Sequence, residues 1–334
     1  MMKLFSRAKV RVLTPRQINA APVAGEIQAF GGHCMGTSWS VRLVDEGRDT
    51  EGLEARIAAR LEVIEAQMSH FRPESDLCRF GRLPAGAAQT LPTEFAHVLR
   101  AALEVAEQSA GAFDPTVARL VDAWGFGAAG RYSDPGFTPA ATEIAASRGK
   151  LAVDEAGRII QPGDVALNLA AIAKGYAVDA VAQMLTEAGF RNHLVEVGGE
   201  LRGSGVKPDA QPWWVALELP TDDCPLPATR IALHGLSVAT SGDYRRSYQL
   251  GQQRVQHTMD PRSGAPLVNR VASVTVLHRE CMYADAWATA LMVLGLKEGL
   301  ALASKLELAV LMQALDEQNR WVEVTSPAWQ NLQS

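Results

Sequence analysis

What this 334-residue chain lacks narrows its class quickly. Its four cysteines, Cys34, Cys78, Cys224 and Cys281, include no CxxC pair, so neither a zinc cluster nor a disulfide framework is indicated. They read as buried or incidental thiols. No run reaches the roughly 18 apolar residues that would argue for a membrane-spanning helix. The opening MMKLFSRAKVRVLTPRQINAAPVAGE is basic but lacks the continuous apolar segment of a secretory signal, so a cytoplasmic location is the expectation from sequence alone. Neither sign of charge is concentrated. The 32 basic and 37 acidic residues are interspersed, and a net charge of -5 without a basic block excludes the electrostatic footprint of a nucleic-acid binder. There is no internal repeat and no low-complexity tract.

What is present is a large apolar fraction, 47% of residues, enough for one large domain or two. Residues 1–27 show no sustained periodicity and are read as an N-terminal extension, with the folded domain over 28–330. TSWSVRLVD alternates as a strand does, and EGLEARIAARLEVIEAQMSHF places Leu53, Ile57, Leu61, Ile64 and Met68 on one helical stripe. LPTEFAHVLRAALEVAEQSAG predicts a second helix, with Thr93 as its cap, Gly111 at its end and Phe95, Val98, Leu99, Ala102 and Val105 buried. A short helix is expected after GFGAAGRYSDPGFTPAA, then a hairpin in KLAVDEAGRIIQP. Beyond Asn192 the pattern is mostly strands: HLVEVGGELRGSG, WWVALELP, RIALHGLSVAT, RVQHTMD and VASVTVLH. Two helices, about Met282–Leu294 and Glu298–Leu306, and two closing strands follow. Strands and helices are partly segregated, which favours α+β over a doubly wound sheet.

Four stretches carry candidate chemistry. In NLAAIAKGYAVDAVAQML the helical stripe is convincing only after Gly175, with Gly189 ending it, so the front half is read as a strand end and a turn. Its small residues and the helix N-terminus behind them suit an anion, and Lys174 adds a positive charge there. A lysine snorkelling from a tight turn is the plain alternative. YADAWATALMVLG puts Asp285 and Thr289 four residues apart, on one helix face, as hard oxygen donors of the kind Mg²⁺ accepts. Helix capping and back-bonding to a carbonyl would account for the same pair. QHTMDPRSG sets His257 three residues before Asp260 at a rigid turn, either an acid-base pair or a loop histidine. EVGGEL ends a strand at Gly198 and Gly199 before Glu200, a place for close backbone approach or a bulge, and GAFDPTVARLVDAWGFG sets Phe113 and Asp114 before Pro115 in a shaped turn.

Taken in order, MGTSWSV, MSHFRPESDLCRF, GAFDPTVARLVDAWGFG, NLAAIAKGYAVDAV, VEVGGEL, VATSGDY, HTMDPRSGAPL and ADAWATALMVLG resemble the FAD:protein FMN transferase family, the ApbE type, from Met35 to Gly295. The resemblance implies an α+β fold with a T-fold-like core and a smaller flanking part. It implies an enzyme that binds FAD as substrate with Mg²⁺, cleaves the pyrophosphate, releases AMP and attaches FMN by a phosphoester to a Thr or Ser of a target protein. By motif position, FAD contacts fall on Met35, Phe71, Ala112, Phe113, Asp114, Asn168, Lys174 and Met259. Mg²⁺ falls on the Asp285 carboxylate, the Thr289 hydroxyl and the Ala171 carbonyl. His257 is the implied base and Asp260 the second choice or its orienter. The implied partner is a separate acceptor with an FMN-binding domain, one setting for which is a membrane redox complex.

The chain departs from the family's usual Asp-Leu-Gly-Gly-Ile-Ala-Lys-Gly. Asn168 stands where the Asp is expected and Ala170 and Ala171 where the glycine pair is, so a charge is lost while an amide still accepts one hydrogen bond. Many family members are exported lipoproteins, which makes a periplasmic or membrane-associated location the alternative to the cytoplasmic one. Two other activities fit the same motifs: a Mg²⁺-dependent FAD pyrophosphatase giving FMN and AMP, and a non-catalytic flavin-binding protein.

Overall fold

The computed structural model describes residues 10–14, 21–134, 136–139, 151–242, 247–251 and 253–332. In chain order the elements are β1 (Val10–Leu13), β2 (Ile27–Cys34), β3 (Thr37–Val44), α1 (Leu53–Met68), α2 (Asp76–Gly81), β4 (Ala88–Thr90), α3 (Thr93–Gln108), α4 (Ala118–Ala123), β5 (Arg158–Ile160), α5 (Ala173–Glu187), β6 (His193–Val197), β7 (Glu200–Ser204) and β8 (Trp213–Ala216). They continue as β9 (Ala228–Leu233), β10 (Leu236–Gly242), β11 (Ser247–Leu250), β12 (Gln253–Gln256), β13 (Met259–Asp260), β14 (Ala265–Pro266), β15 (Val271–His278), α6 (Cys281–Lys305), β16 (Ala309–Leu315), β17 (Trp321–Thr325) and α7 (Pro327–Gln330). The fold is α+β, as the segregation of strands and helices predicts.

Eight strands form one antiparallel sheet in the order β17-β16-β15-β10-β7-β6-β3-β2. Its central strands are buried on both faces, so their alternation divides the core in two. Val276 and Val310 face the main core under α1, α3, α5 and α6, while their neighbours Leu277 and Leu311 face a second core. That second core lies under a smaller sheet, β1-β9-β8, and is closed by the fully buried Trp329 of α7. The predicted helical stripe of α1 is buried at every position, Leu53, Ile57, Leu61, Ile64 and Met68, and so is that of α3. By length and composition α6 would cross a membrane. Here its first half is a core helix, buried from Cys281 to Val293 apart from Tyr283 and Thr289.

The two expected C-terminal helices are one span broken at Gly295, which leaves helical geometry with φ 77° and ψ 179°. Other expectations need correction. The first 27 residues are not all extension: β1 pairs in parallel with β9, and Leu13 is fully buried in the second core. A four-residue strand is too short to show periodicity, so only its partner reveals it. RIALHGLSVAT is two strands in two sheets, with the chain crossing between them at His234 and Gly235. Thr93 is the first residue of α3 rather than its cap, which is Pro92. The stretch 161–172 holds no strand, and α5 begins at Ala173, ahead of Gly175. Alanines pack in helix and turn alike, so the stripe could not mark that start. The short helix expected after the Gly- and Pro-rich stretch falls at about 140–150, outside the described residues.

Candidate active site

The floor of the site is where α5 meets α6. A Cβ at Gly175 would lie 2.3 Å from the Cys281 carbonyl oxygen, so only glycine lets the first turns of the two helices touch. Asp285, one turn into α6, is 4% exposed and accepts the Gly175 N–H on Oδ2 at 3.1 Å. Gly175 is the third residue of α5, so its N–H has no partner within the helix and the carboxylate supplies one. The Ala171 carbonyl, just ahead of α5, accepts no backbone hydrogen bond among the described residues. One turn along α6, Thr289 Oγ1 lies 2.9 Å from Ser241 Oγ of β10. Three oxygens of different kinds thus line one end of a single cavity.

Beside them Lys174 forms an ion pair with Glu200, the first residue of β7. The two-residue turn Gly198-Gly199 that joins β6 to β7 holds both glycines at positive φ. A Cβ on Gly198 would meet Lys174 Cδ at 3.1 Å and Thr37 Cγ2 at 2.9 Å, so the bare turn makes room for the lysine stem. Burial raises the carboxyl of Glu200; the Lys174 ammonium opposes that and the nearby Asp285 charge adds to it. Asp285 is likewise raised by burial and partly restored by Lys174 and the Gly175 N–H. Two enclosed carboxyls therefore share one ammonium, and Glu200 Oε2 has no hydrogen-bond partner among the described residues.

The second wall is built from turns. Met35 and Gly36 close the β2–β3 hairpin, and Met35 is held at φ 55°, a conformation that strains a side-chain-bearing residue. Glu65 of α1 fixes it: one carboxylate oxygen accepts the Met35 N–H at 3.1 Å and the Cys34 thiol at 2.9 Å and pairs with Arg72. Burial and Glu65 push the Cys34 thiol up to about 12, so it stays protonated. Phe71, 48% exposed, stands at the rim with His70 against its ring. Asp114 is buried and accepts both the N–H and the hydroxyl of Thr116, at 2.8 and 2.6 Å. Asn168 is tied to the same loop through its own N–H to Pro115, and its Oδ1 accepts the Ala170 N–H at 2.9 Å, the single acceptor role expected of an amide there.

His257 occupies the third side, between β12 and β13. Its ring meets Phe126 edge-on at 6.3 Å, over a small apolar cluster of Leu120, Phe126, Val255 and Met259. Asp260 is held elsewhere. Its two oxygens bind the Arg262 guanidinium at 2.9 Å each. Burial pushes its carboxyl up, but the Arg262 hydrogen bonds and charge outweigh this and keep it below the usual range.

Side chains from all three of these parts converge on a cavity of about 370 Å³. Met35, Phe71, Ala112, Phe113, Asp114, Asn168, Ala171, Lys174, His257, Met259, Asp285 and Thr289 all line it, although they come from segments spread over most of the chain. Asp260 does not line it, and its partner is Arg262 rather than the imidazole. Sequence reasoning missed Glu200, Glu65, Thr240 and Ser241, which also line it. Glu200 left a signal, since an acid stands where the alternation of the β6–β7 hairpin puts a buried residue.

Among the described residues no cluster of three acidic, histidine or cysteine side chains could cage a metal. A cation here would have to use mixed oxygens. The donor set fits Mg²⁺: one buried carboxylate, one hydroxyl, one carbonyl just ahead of a helix, and open positions for substrate oxygens.

Comparison with known proteins agrees with this arrangement. The ApbE family pattern matches residues 35–312. An FAD:protein FMN transferase of Vibrio cholerae is 35% identical over 290 residues, 85% of this chain and 86% of that protein. One of Salmonella typhimurium is 33% identical over 309 residues, covering 89% and 86%. Among solved structures, the apo flavinyl transferase ApbE of Pseudomonas stutzeri superposes with a TM-score of 0.84 at 35% identity, over 92% of this chain and 97% of that one. The flavin transferase ApbE of Vibrio cholerae gives 0.81 at 31%, over 92% and 99%. With its fold and most of its length matched by these relatives, the chain belongs to the ApbE family.

Proposed function

We propose that this protein transfers FMN from FAD to a Thr or Ser hydroxyl of a separate flavoprotein, with Mg²⁺, and releases AMP. The observation that carries the reading is the single cavity that Lys174, Asp285, Thr289, Ala171 and His257 all line. Its volume is that of a small-molecule site, and Met35, Phe71, Phe113 and Met259 offer apolar surface for a flavin ring. Asp114, Asn168 and Ala112 shape the loop that flanks the nucleotide.

The step is a phosphoryl transfer. The acceptor hydroxyl oxygen bonds to the FMN-side phosphorus, the bond from that phosphorus to the bridging oxygen breaks, and AMP leaves with the bridging oxygen. His257 takes the hydroxyl proton, and Lys174 stabilises charge on the phosphate oxygens. Asp285, Thr289 and the Ala171 carbonyl would hold Mg²⁺, which when bound neutralises charge on the transferring and leaving groups. Asp260, tied to Arg262, fixes the turn that follows His257. The acceptor is a protein with an FMN-binding domain, for which components of membrane redox complexes are the first candidates.

The test mixes the protein with FAD, Mg²⁺ and such a domain. A flavin-fluorescent acceptor band that survives denaturation is expected. Release of AMP and free FMN at a rate that no acceptor improves would instead make the protein a pyrophosphatase.

A further inference from the structure

Glu200 is a buried ionisable group lining the cavity that the chemistry above leaves unused. It is 3% exposed, it anchors Lys174 through Oε1, and its Oε2 has no partner among the described residues. As a contribution to folding this is a poor arrangement. A buried ion pair seldom repays the loss of water from its charges, and an unpartnered carboxylate oxygen adds to the cost. A packed apolar side chain would hold β7 at least as well.

The surroundings are nonetheless arranged around the pair. The β6–β7 turn carries no Cβ where the Lys174 stem crosses Gly198, and its backbone is pinned by the Gly198 N–H to the Ser38 carbonyl and the Gly199 N–H to Glu196, at 3.0 and 2.8 Å. The lysine leaves the first turn of α5 and the glutamate the first position of β7, two rigid elements on opposite sides of the cavity floor. A lysine side chain has four rotatable bonds and would otherwise sample many positions. Here both its stem and its head are fixed.

We propose that Glu200 is a positioning residue, which holds the Lys174 ammonium at the place where charge develops on the transferring phosphate. This rests on the function proposed above and assigns Glu200 a share of it. Glu200 does not touch the substrate in this account. It removes the freedom of the group that does, so that little reorganisation remains when the phosphorus is attacked.

The test is Glu200→Gln, read on two quantities. Gln keeps the shape but gives up the charge that anchors the ammonium, and it also takes one negative charge away from an anionic ligand. Flavin transfer at saturating FAD should fall by about tenfold or more. The FAD dissociation constant, measured by flavin fluorescence without metal and without acceptor, should stay unchanged or become smaller. A merely structural role would weaken FAD binding and transfer together, and no role at all would leave transfer unchanged; either result overturns the proposal. Should Glu200→Gln not fold, Glu200→Met, apolar and of similar length, must show the same split. If wild type transfers no flavin to any acceptor, the proposed function fails, which is a different outcome from a wild type that transfers and a variant that does so equally well.

Discussion

Two parts of the cavity lining are built differently. The floor joins α5, α6 and the β6–β7 turn, and its ionisable groups, Asp285 and Glu200, are enclosed in the main core. The side that carries His257 rests on two two-stranded ladders, β11–β12 and β13–β14, over a cluster of four buried side chains. Charge is therefore held in the main core, and the imidazole sits over a separate, smaller apolar cluster. The contrast suits the proposed chemistry. A phosphate and metal site must be preorganised to act at all, whereas a proton acceptor must meet an acceptor protein that arrives from outside.

The largest way to break this contrast is at the floor. Asp285→Ala should lower flavin transfer by about a thousandfold, because it removes a proposed metal ligand and leaves the Gly175 N–H without its acceptor. Protein-linked flavin fluorescence measures the loss.

The sheet beneath the floor makes the next test. Burial holds His193 down to about 4, against an ordinary 6.5, with its Nδ1 hydrogen-bonded to the Phe190 carbonyl. A base whose folded value is depressed takes up its proton on unfolding. Stability is thus complete above pH 6.5 and is lost as the pH falls towards 4, by about 3 kcal/mol in total. Urea unfolding at a series of pH values should show that slope, and His193→Gln should remove most of it.

The satellite side should respond more selectively. His257→Ala should cost about a hundredfold in transfer, the usual worth of a positioned base, while FAD binding and thermal stability are preserved. The smallest effect is expected at Asn168. Asn168→Asp keeps the acceptor for the Ala170 N–H, so its stability should stay within about 0.5 kcal/mol of wild type, and only the metal dependence of transfer should move.

Much of this organisation is legible in the sequence where the physics is local. The α1 stripe follows from spacing alone, and so does the shared face of Asp285 and Thr289. Motif resemblance placed Lys174, His257 and the loop residues in one site, and they line one cavity. The misses come from contacts that no local pattern encodes. Glu200 lies 26 residues beyond Lys174, and only the turn at Gly198-Gly199 brings its carboxylate to the ammonium. Asp260 looked like a partner for His257 because the two are close in sequence, but the Pro261 turn folds Arg262 back onto it. β1 escaped notice because its partner, β9, lies more than two hundred residues further along the chain.

The central claim is that the floor binds the phosphates and the metal while the His257 side acts only in the chemical step. FAD titrations with and without Mg²⁺, run in parallel on Asp285→Ala and His257→Ala, test it most directly. The account predicts that Mg²⁺ tightens FAD binding to wild type and to His257→Ala but not to Asp285→Ala. An Asp285→Ala variant whose FAD affinity still responds to Mg²⁺ as wild type does would contradict it.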